Sequence, residues 1–368
     1  MLPIDCGGSA ARAEDVDGSY LGLMVPKATR KVLPTALFGV LTVACYGCDP
    51  SLAVMGFSGT TMGTSYTVLI ETGVQAEDSV ALGAVIDREL RAVSRVMSTY
   101  DPDSDVSRFG AYVGTEPVPV DPMLVGILES ALEICERTSH AFDPTVAPLV
   151  DAWGFGPEDV LLPPDSASVA ALRGLVGCEG LALDTGAGTL TKSRPRARID
   201  LSGIAKGYAA ERIGMALREL GYENALVDVG GELRVLGSHR DGRPWRVALE
   251  GPGESEPGPM GTIDLVDEAV ATSGDFRNFY EYRGVAYAHI IDPRTGFPVR
   301  YRGFSVSVVH SDASYADAWA TALAVLGPED GFELAEREGV SALFAWRTVT
   351  GVMSRETTAL EGRVTPAG

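Results

Sequence analysis

The chain has 368 residues, a length that fits two ordinary domains or one large α/β domain with insertions. Hydrophobic residues make up 45% and charged residues 22%, enough apolar material for a core, which excludes disordered, coiled-coil and collagen-like classes. With 30 Lys and Arg against 50 Asp and Glu, the formal net charge is −20, which argues against nucleic acid as the main partner. Any anionic ligand must then be met by backbone N–H groups, a few local cations or a metal.

The N-terminal part reads as a targeting segment. Residues 33–44 (LPTALFGVLTVA) form an apolar run preceded by Lys27, Arg30 and Lys31. At about 1.5 Å per residue the run is too short to span a bilayer, but it suits a signal-peptide h-region. It ends at Thr42-Val43-Ala44-Cys45, which resembles a bacterial lipoprotein cleavage site with Cys45 as the lipidated residue. A short hydrophobic strand is the plainer alternative. Met24, followed by Val-Pro-Lys-Ala-Thr-Arg-Lys, makes a conventional signal start. Residues 1–44 are therefore read as a dispensable extension plus signal, and the mature protein is expected outside the cytoplasm, anchored to a bacterial membrane.

Beyond the signal, residues 54–71 contain two β-rich runs around Gly63. Residues 78–98 show helical periodicity through Val80, Ile86, Leu90, Val93 and Met97. Asp121 to about His140 reads as a second helix with Leu124, Ile127, Leu128, Leu132 and Cys135 on one stripe, and a Pro/Gly/Asp-rich loop follows around 155–165. Ser202 opens a third helix that closes at Gly221. Strands are predicted at 224–229, 232–237, 244–249, 260–265, 284–291 and 303–309, with a loop of no assigned role at 251–261. A helix after Ser311 stops at Gly327-Pro328, and a short helix (329–338) and strands at 341–346 and 350–354 finish the chain. Strand runs interrupted by single helices imply an α+β or mixed α/β domain, with no repeat and no linker that forces a boundary. Cys135 and Cys178 are compatible with a disulfide in an oxidising compartment or with two buried thiols, and no cysteine spacing reads as a zinc site.

Three segments allow a chemical reading. Asp200-Leu201-Ser202-Gly203-Ile204-Ala205-Lys206-Gly207 places unpaired N–H groups and one cation at a helix start, which suits a diphosphate, though an ordinary capped helix with small residues has the same pattern. Asp317 and Thr321, four apart, share a helix face and offer oxygen ligands for Mg²⁺ rather than zinc; many solvated helix faces carry such a pair. His289, before the turn signal Asp292-Pro293-Arg294-Thr295-Gly296, is placed either as a general base or as a satisfied histidine of the core or surface.

Eight segments in order carry a resemblance: MGTSY, MSTYDPDSDVSRF, AFDPTVAPLVDAWGFGP, IDLSGIAKGYAAERI, VDVGGE, VATSGDF, HIIDPRTG and DAWATAL. Together they resemble the ApbE family, the FAD:protein FMN transferases, over about residues 55–355. The resemblance implies a single large, T-fold-related α+β domain. It places Met62, Tyr100, Ala141, Phe142, Asp143, Asp200, Lys206 and Ile291 at FAD-binding positions. It places Gly203 (through its carbonyl), Asp317 and Thr321 at the magnesium positions, and His289 at that of the base. The implied reaction moves the FMN moiety of FAD to a Thr or Ser hydroxyl of an acceptor flavoprotein and releases AMP. The acceptor would carry an Asp-x-x-Ser/Thr-Gly-Ala-Thr pattern, as in membrane redox complexes. Asp292-Pro293-Arg294-Thr295-Gly296 begins like that pattern, but Phe297-Pro298 ends it, which argues against self-flavinylation. An Mg²⁺-dependent FAD pyrophosphatase and a non-catalytic FAD-binding lipoprotein are the competing readings.

Overall fold

The computed structural model describes residues 53–72, 78–157, 160, 162–252, 259–274, 279–300 and 303–367. The h-region at 33–44, Met24, Cys45 and Cys48 lie outside the described residues, as do the middle of the 251–261 loop and Asp275 and Phe276. No helix among the described residues is long and apolar enough to cross a membrane.

The chain opens with a hairpin of β1 (Ala53–Thr61) and β2 (Thr64–Thr72). Met62 and Gly63 close it with φ of +46° and +75°, a two-residue turn whose twist matches that of the strands. In α1 (Asp78–Met97), Leu82, Ile86, Leu90, Val93 and Met97 are buried at helical spacing, whereas Val80, assigned to that stripe from sequence, is exposed. The polar segment after α1 is not all loop. Ser104 Oγ accepts the N–H of Ser107 and caps a short helix, α2 (Asp105–Ala111), whose Val106 and Phe109 are buried. After β3 (Val118–Pro119), Asp121 caps α3 (Pro122–Arg137). That helix ends three residues earlier than its periodicity predicts, because Ser139 and His140 adopt φ of +50° and +64°.

Short elements that periodicity does not reveal follow: α4 (Ala147–Ala152), α5 (Ser166–Arg173), a 3-10 turn at Cys178–Gly180, β4 (Leu181–Asp184) and β5 (Thr189–Lys192). Next come α6 (Ala205–Glu219), β6 (Ala225–Val229), β7 (Glu232–Leu236), β8 (Trp245–Glu250), β9 (Pro259–Leu265) and β10 (Ala269–Gly274). The strand expected at 284–291 is broken at His289, leaving β12 (Val285–Ala288) paired with β11 (Phe279–Tyr282), and β13 (Ile291–Asp292) paired with β14 (Phe297–Pro298). The chain closes with β15 (Phe304–His310), α7 (Ala313–Leu326), α8 (Asp330–Glu338), β16 (Ser341–Thr348), β17 (Gly351–Glu356) and β18 (Val364–Pro366).

Eight strands form one antiparallel sheet in the order β1-β2-β6-β7-β10-β15-β16-β17. The strand period of two sends neighbouring residues into different cores. Ala269, Ala271, Val306 and Val308 join the main core on the helix side. Val270 and Val309 join a second core with Trp245, Val247, Ile263 and Leu265 of the three-stranded sheet β18-β9-β8. The α+β architecture expected from the strand and helix runs is the one observed.

Two features of the helix layer position the site. A Cβ on Gly207 of α6 would lie 2.1 Å from the Ala313 carbonyl oxygen, so only glycine permits this approach of α6 to α7. The helices also cap each other: Glu211 of α6 accepts the N–H of Ala313, and Asp317 of α7 accepts the N–H of Gly207 at 2.9 Å. On the other side of the site the sulfurs of Cys135 and Cys178 are joined in a disulfide, one of the two states left open by the sequence.

Lys192 on β5 is buried, and its ammonium donates to the carbonyls of Phe109 (2.9 Å) and Ala197 (3.0 Å), fastening the segment that leads to Asp200. Burial pulls its pKa down to about 8. The folded state therefore sheds this proton before the unfolded state does, and stability should rise between about pH 8 and the ordinary lysine value near 10. Urea midpoints of wild type should climb across that interval, and the climb should shrink in Lys192→Met.

Candidate functional site

The start of α6 is built differently from the sequence expectation. Ser202 does not cap the helix: its N–H and Oγ both donate to Asp200 Oδ1, at 2.8 and 2.5 Å, and close a turn on that carboxylate. Helical geometry begins at Ala205, and Ile204 before it offers no side-chain cap. The cap comes from Asp317 on the neighbouring helix, so an ionic group separated by 110 residues stands where a local hydroxyl was expected. The small residues of Gly203-Ile204-Ala205-Lys206-Gly207 let that carboxylate reach the backbone.

Around this start the structure collects charge. Lys206 Nζ lies 2.9 Å from Glu232 Oε1 and 3.8 Å from Asp317 Oδ1. Glu232 is buried at the head of β7, and its Oε2 has no hydrogen-bond partner among the described residues. Burial, offset by the Lys206 ammonium and reinforced by the Asp317 carboxylate, pushes the Glu232 carboxyl up to about 8. Thr321, one turn after Asp317, donates from Oγ1 to the Gly203 carbonyl at 3.2 Å, and Ser273 Oγ on β10 lies 3.5 Å from the same hydroxyl.

This donor set fits a hard divalent cation. Gly203 O, Thr321 Oγ1 and Asp317 Oδ1 are all oxygen, and the 3.2 Å between the first two is close to the roughly 3 Å edge of a magnesium octahedron. Glu232 and Asp317 share one ammonium, and the burial that holds the Glu232 carboxyl protonated marks a site short of positive charge, which a cation would supply.

The remaining expected residues fall into two groups. Phe142 is buried with its ring edge against Gly203, where an added Cβ would sit 3.3 Å from Cε2. The Asp200 N–H donates to the Pro144 carbonyl, so the 141–144 segment and the 200–203 turn form one wall. The Met62 turn reaches the same end of the sheet: a Cβ on Gly230 would lie 2.8 Å from Thr64 Cγ2 and 3.2 Å from Lys206 Cδ. Other side chains turn elsewhere. Ala141 is buried, and Ile291 packs with Leu149, Trp153, Val169 and Val176. Asp143 accepts from the N–H and Oγ1 of Thr145 in its own loop and from the N–H of Cys178 on the 3-10 turn.

Tyr100 and His289 belong to an aromatic flank. The Tyr100 hydroxyl donates to the Phe155 carbonyl at 3.1 Å while the ring stays 68% exposed. Partial burial, with the Asp200 and Asp151 carboxylates nearby, raises its pKa. His289, half-buried between β12 and β13, meets the Phe155 ring edge-on at 6.4 Å. Phe155 also packs on Tyr280, which stacks on Tyr287 at 5.3 Å, and Tyr287 stacks on Trp153.

Sequence reasoning missed Glu232 and Ser273. Both lie in segments quoted for the resemblance, and Glu232 had a readable signal: a lone acid directly after Gly230-Gly231 at a strand start. Its partner Lys206 is 26 positions away, and no periodicity links the two.

An ammonium, two buried carboxyl groups and several oxygen donors gathered at one helix start mark an enzyme's site. The comparisons name its family. The ApbE family model matches residues 62–344, and the chain belongs to that family. The FAD:protein FMN transferase of Vibrio cholerae is 40% identical over 86% of this chain and 94% of its own length. The protein of the same name from Escherichia coli K12 is 36% identical over 84% and 90%. Among solved structures, the flavin transferase ApbE from Vibrio cholerae matches with a TM-score of 0.76 at 37% identity, covering 84% of this chain and 99% of that one. The apo flavinyl transferase ApbE of Pseudomonas stutzeri matches with a TM-score of 0.76 at 34% identity, covering 86% and 98%.

Proposed function

We propose that this enzyme transfers the FMN moiety of FAD to a Thr or Ser hydroxyl of an acceptor flavoprotein, with Mg²⁺ and with release of AMP. The observation that carries the reading is the oxygen set of Gly203, Asp317 and Thr321 beside Lys206 at the start of α6, in a member of the ApbE family. Mg²⁺, when bound there, would neutralise charge on the pyrophosphate oxygens. Lys206 adds the local cation that an acidic protein needs for a diphosphate, and Glu232 holds that ammonium in place. Phe142 and the turn on Asp200 wall the site on one side, and Tyr100, Phe155 and Tyr280 offer flat surface for an aromatic ring system.

His289 takes the proton of the acceptor hydroxyl. The hydroxyl oxygen bonds to the phosphorus on the FMN side, the bond from that phosphorus to the bridging oxygen breaks, and AMP leaves with the electron pair. The product is FMN in phosphoester linkage. The acceptor's Asp-x-x-Ser/Thr-Gly-Ala-Thr site would belong to a membrane redox complex subunit. The enzyme would act outside the cytoplasm, anchored by lipid on Cys45. The Cys135–Cys178 disulfide supports that placement, because such bonds persist in oxidising compartments.

The test combines the protein, FAD and Mg²⁺ with an acceptor domain bearing that pattern, followed by a denaturing gel imaged for flavin fluorescence. A fluorescent acceptor band that a chelator abolishes is the expected result. Free FMN and AMP with a dark acceptor would make the enzyme a pyrophosphatase, and intact FAD would leave only binding.

A further inference from the structure

The disulfide belongs to a second cluster, distinct from the oxygen donors of Gly203, Asp317 and Thr321. Cys135 lies in the last turns of α3 and Cys178 opens the 3-10 turn, both buried. The His140 side chain is 42% exposed, yet its Nδ1 turns inward. It lies 3.4 Å from Cys135 Sγ, 3.5 Å from Cys178 Sγ and 3.3 Å from Asp143 Oδ2, with Glu179 approaching from the solvent side at 3.8 Å. Ser139 and His140 both sit in the left-handed region, a backbone conformation that non-glycine residues keep only where their surroundings hold it. The His140 N–H donates to the Cys135 carbonyl at 2.9 Å. Asp143 is fixed from both ends, Oδ1 by Thr145 and Oδ2 by the Cys178 N–H at 3.0 Å.

A cysteine sulfur is at best a weak hydrogen-bond acceptor, so the inward nitrogen gains little from the oxidised pair. The same four atoms match what a tetrahedral zinc requires. With Zn–S near 2.3 Å and Zn–N or Zn–O near 2.0–2.2 Å, ligand atoms stand about 3.3–3.8 Å apart. The nitrogen–sulfur and nitrogen–oxygen separations already fall in that range, and all four atoms lie within 4.8 Å of one another. Only the two sulfurs, being bonded, stand too close.

We propose that the reduced form of this cluster is a zinc site, with Cys135 Sγ, Cys178 Sγ, His140 Nδ1 and Asp143 Oδ2 as its ligands. A dithiol reductant supplies two electrons and two protons: the S–S bond breaks, two thiols form, and the reductant becomes a cyclic disulfide. Zinc then displaces both thiol protons to solvent as the thiolates bind it. Either closure ties the 138–145 loop to the 3-10 turn, and that loop carries Phe142 against Gly203 and Pro144 against Asp200. The wall of the candidate site is therefore held by a covalent bond when oxidised and by a metal when reduced. The inference is independent of the transferase reading.

The purified protein, reduced with a phosphine and desalted without oxygen, should be titrated with Co²⁺. One Co²⁺ per chain should bind with thiolate-to-metal charge-transfer absorption and intense tetrahedral bands, and Zn²⁺ should displace it. Cobalt at the oxygen donors gives only weak octahedral bands, so the two sites are read separately. The oxidised protein should show no charge transfer, and His140→Ala should weaken the reduced site at least tenfold. With Mg²⁺ saturating the oxygen donors, Zn²⁺ should also raise the thermal midpoint of the reduced protein by more than that of the oxidised one. A reduced protein with no thiolate band, a His140→Ala variant that binds Co²⁺ as tightly as wild type, or a reduced protein that Zn²⁺ fails to stabilise would each overturn the proposal.

Discussion

Replacing Asp317 by Asn should leave the fold standing and remove flavin transfer by about 10²–10³-fold or more, the size of loss seen when one preorganised electrostatic contact is deleted from an active site. The carboxylate has two separable duties here. Oδ2 accepts the Gly207 N–H and caps α6, while Oδ1 faces Lys206, one helical turn before the Thr321 hydroxyl that donates to Gly203. An Asn side chain keeps a carbonyl oxygen for the cap and loses the charge. Without the Asp317 charge the Glu232 carboxyl can ionise as the partner of Lys206, so the thermal midpoint should hold. Asp317→Ala forfeits the cap as well and should cost about 1–3 kcal/mol, because the Gly207 N–H is left buried without a partner. Transfer assays with graded Mg²⁺, alongside thermal melts of both variants, separate the two duties. Turnover by Asp317→Asn equal to wild type, with unchanged Mg²⁺ dependence, would remove Asp317 from the proposed metal site.

Sequence patterning was most informative where one element decides its own fate. The stripe of α1, the antiparallel strands around α6 and α7, and the stop at Gly327 with φ of +83° all follow from local rules of period and capping. It failed where long-range contact overrides local chemistry. Ser202 has the right residue type to cap a helix, but the Asp200 carboxylate two residues away binds it first, and α7 supplies the cap. The strand at 284–291 has unbroken β-propensity, yet its backbone divides at His289 because each half pairs with a different partner. Short helices such as α2 and α4 are fixed by a cap or a core contact and are too brief to show a period.

The site divides in the same way. Lys206, Asp317 and Thr321 could be named from spacing and resemblance because each lies on a helix whose face the sequence sets. Glu232 could not, since its role arises only when β7 delivers it beside Lys206 in a buried setting. The Cys135–Cys178 link was open on the same grounds, because connectivity depends on how α3 docks against the 3-10 turn. Resemblance located Asp143 and Ile291, and the structure directs their side chains into a loop network and a small core. Any contact of Ile291 with a nucleotide must then be made through backbone atoms.

His289→Ala should lower kcat for flavin transfer by about 10²–10⁴-fold, the usual contribution of a general base, with KM for FAD changed little. The imidazole stands in a connection between two short strands, half-buried and edge-on to Phe155. Its loss should therefore cost little stability, within about 1 kcal/mol. A base acts only when its nitrogen is unprotonated, so the wild-type rate should fall on the acid side of the pH profile, and that limb should vanish in the variant. The alternative role for this ring is to complete the aromatic flank that runs through Phe155, Tyr280 and Tyr287. That role predicts the opposite split: KM for FAD rises, kcat and the pH limb survive, and His289→Phe restores binding. His289→Phe keeps the flat surface and supplies no base, so it should be as slow as His289→Ala if proton transfer is what the residue provides. Measuring kcat, KM and the pH profile for wild type, Ala and Phe side by side decides between a ring that stacks and a ring that takes a proton. A Phe variant with wild-type kcat would end the base assignment.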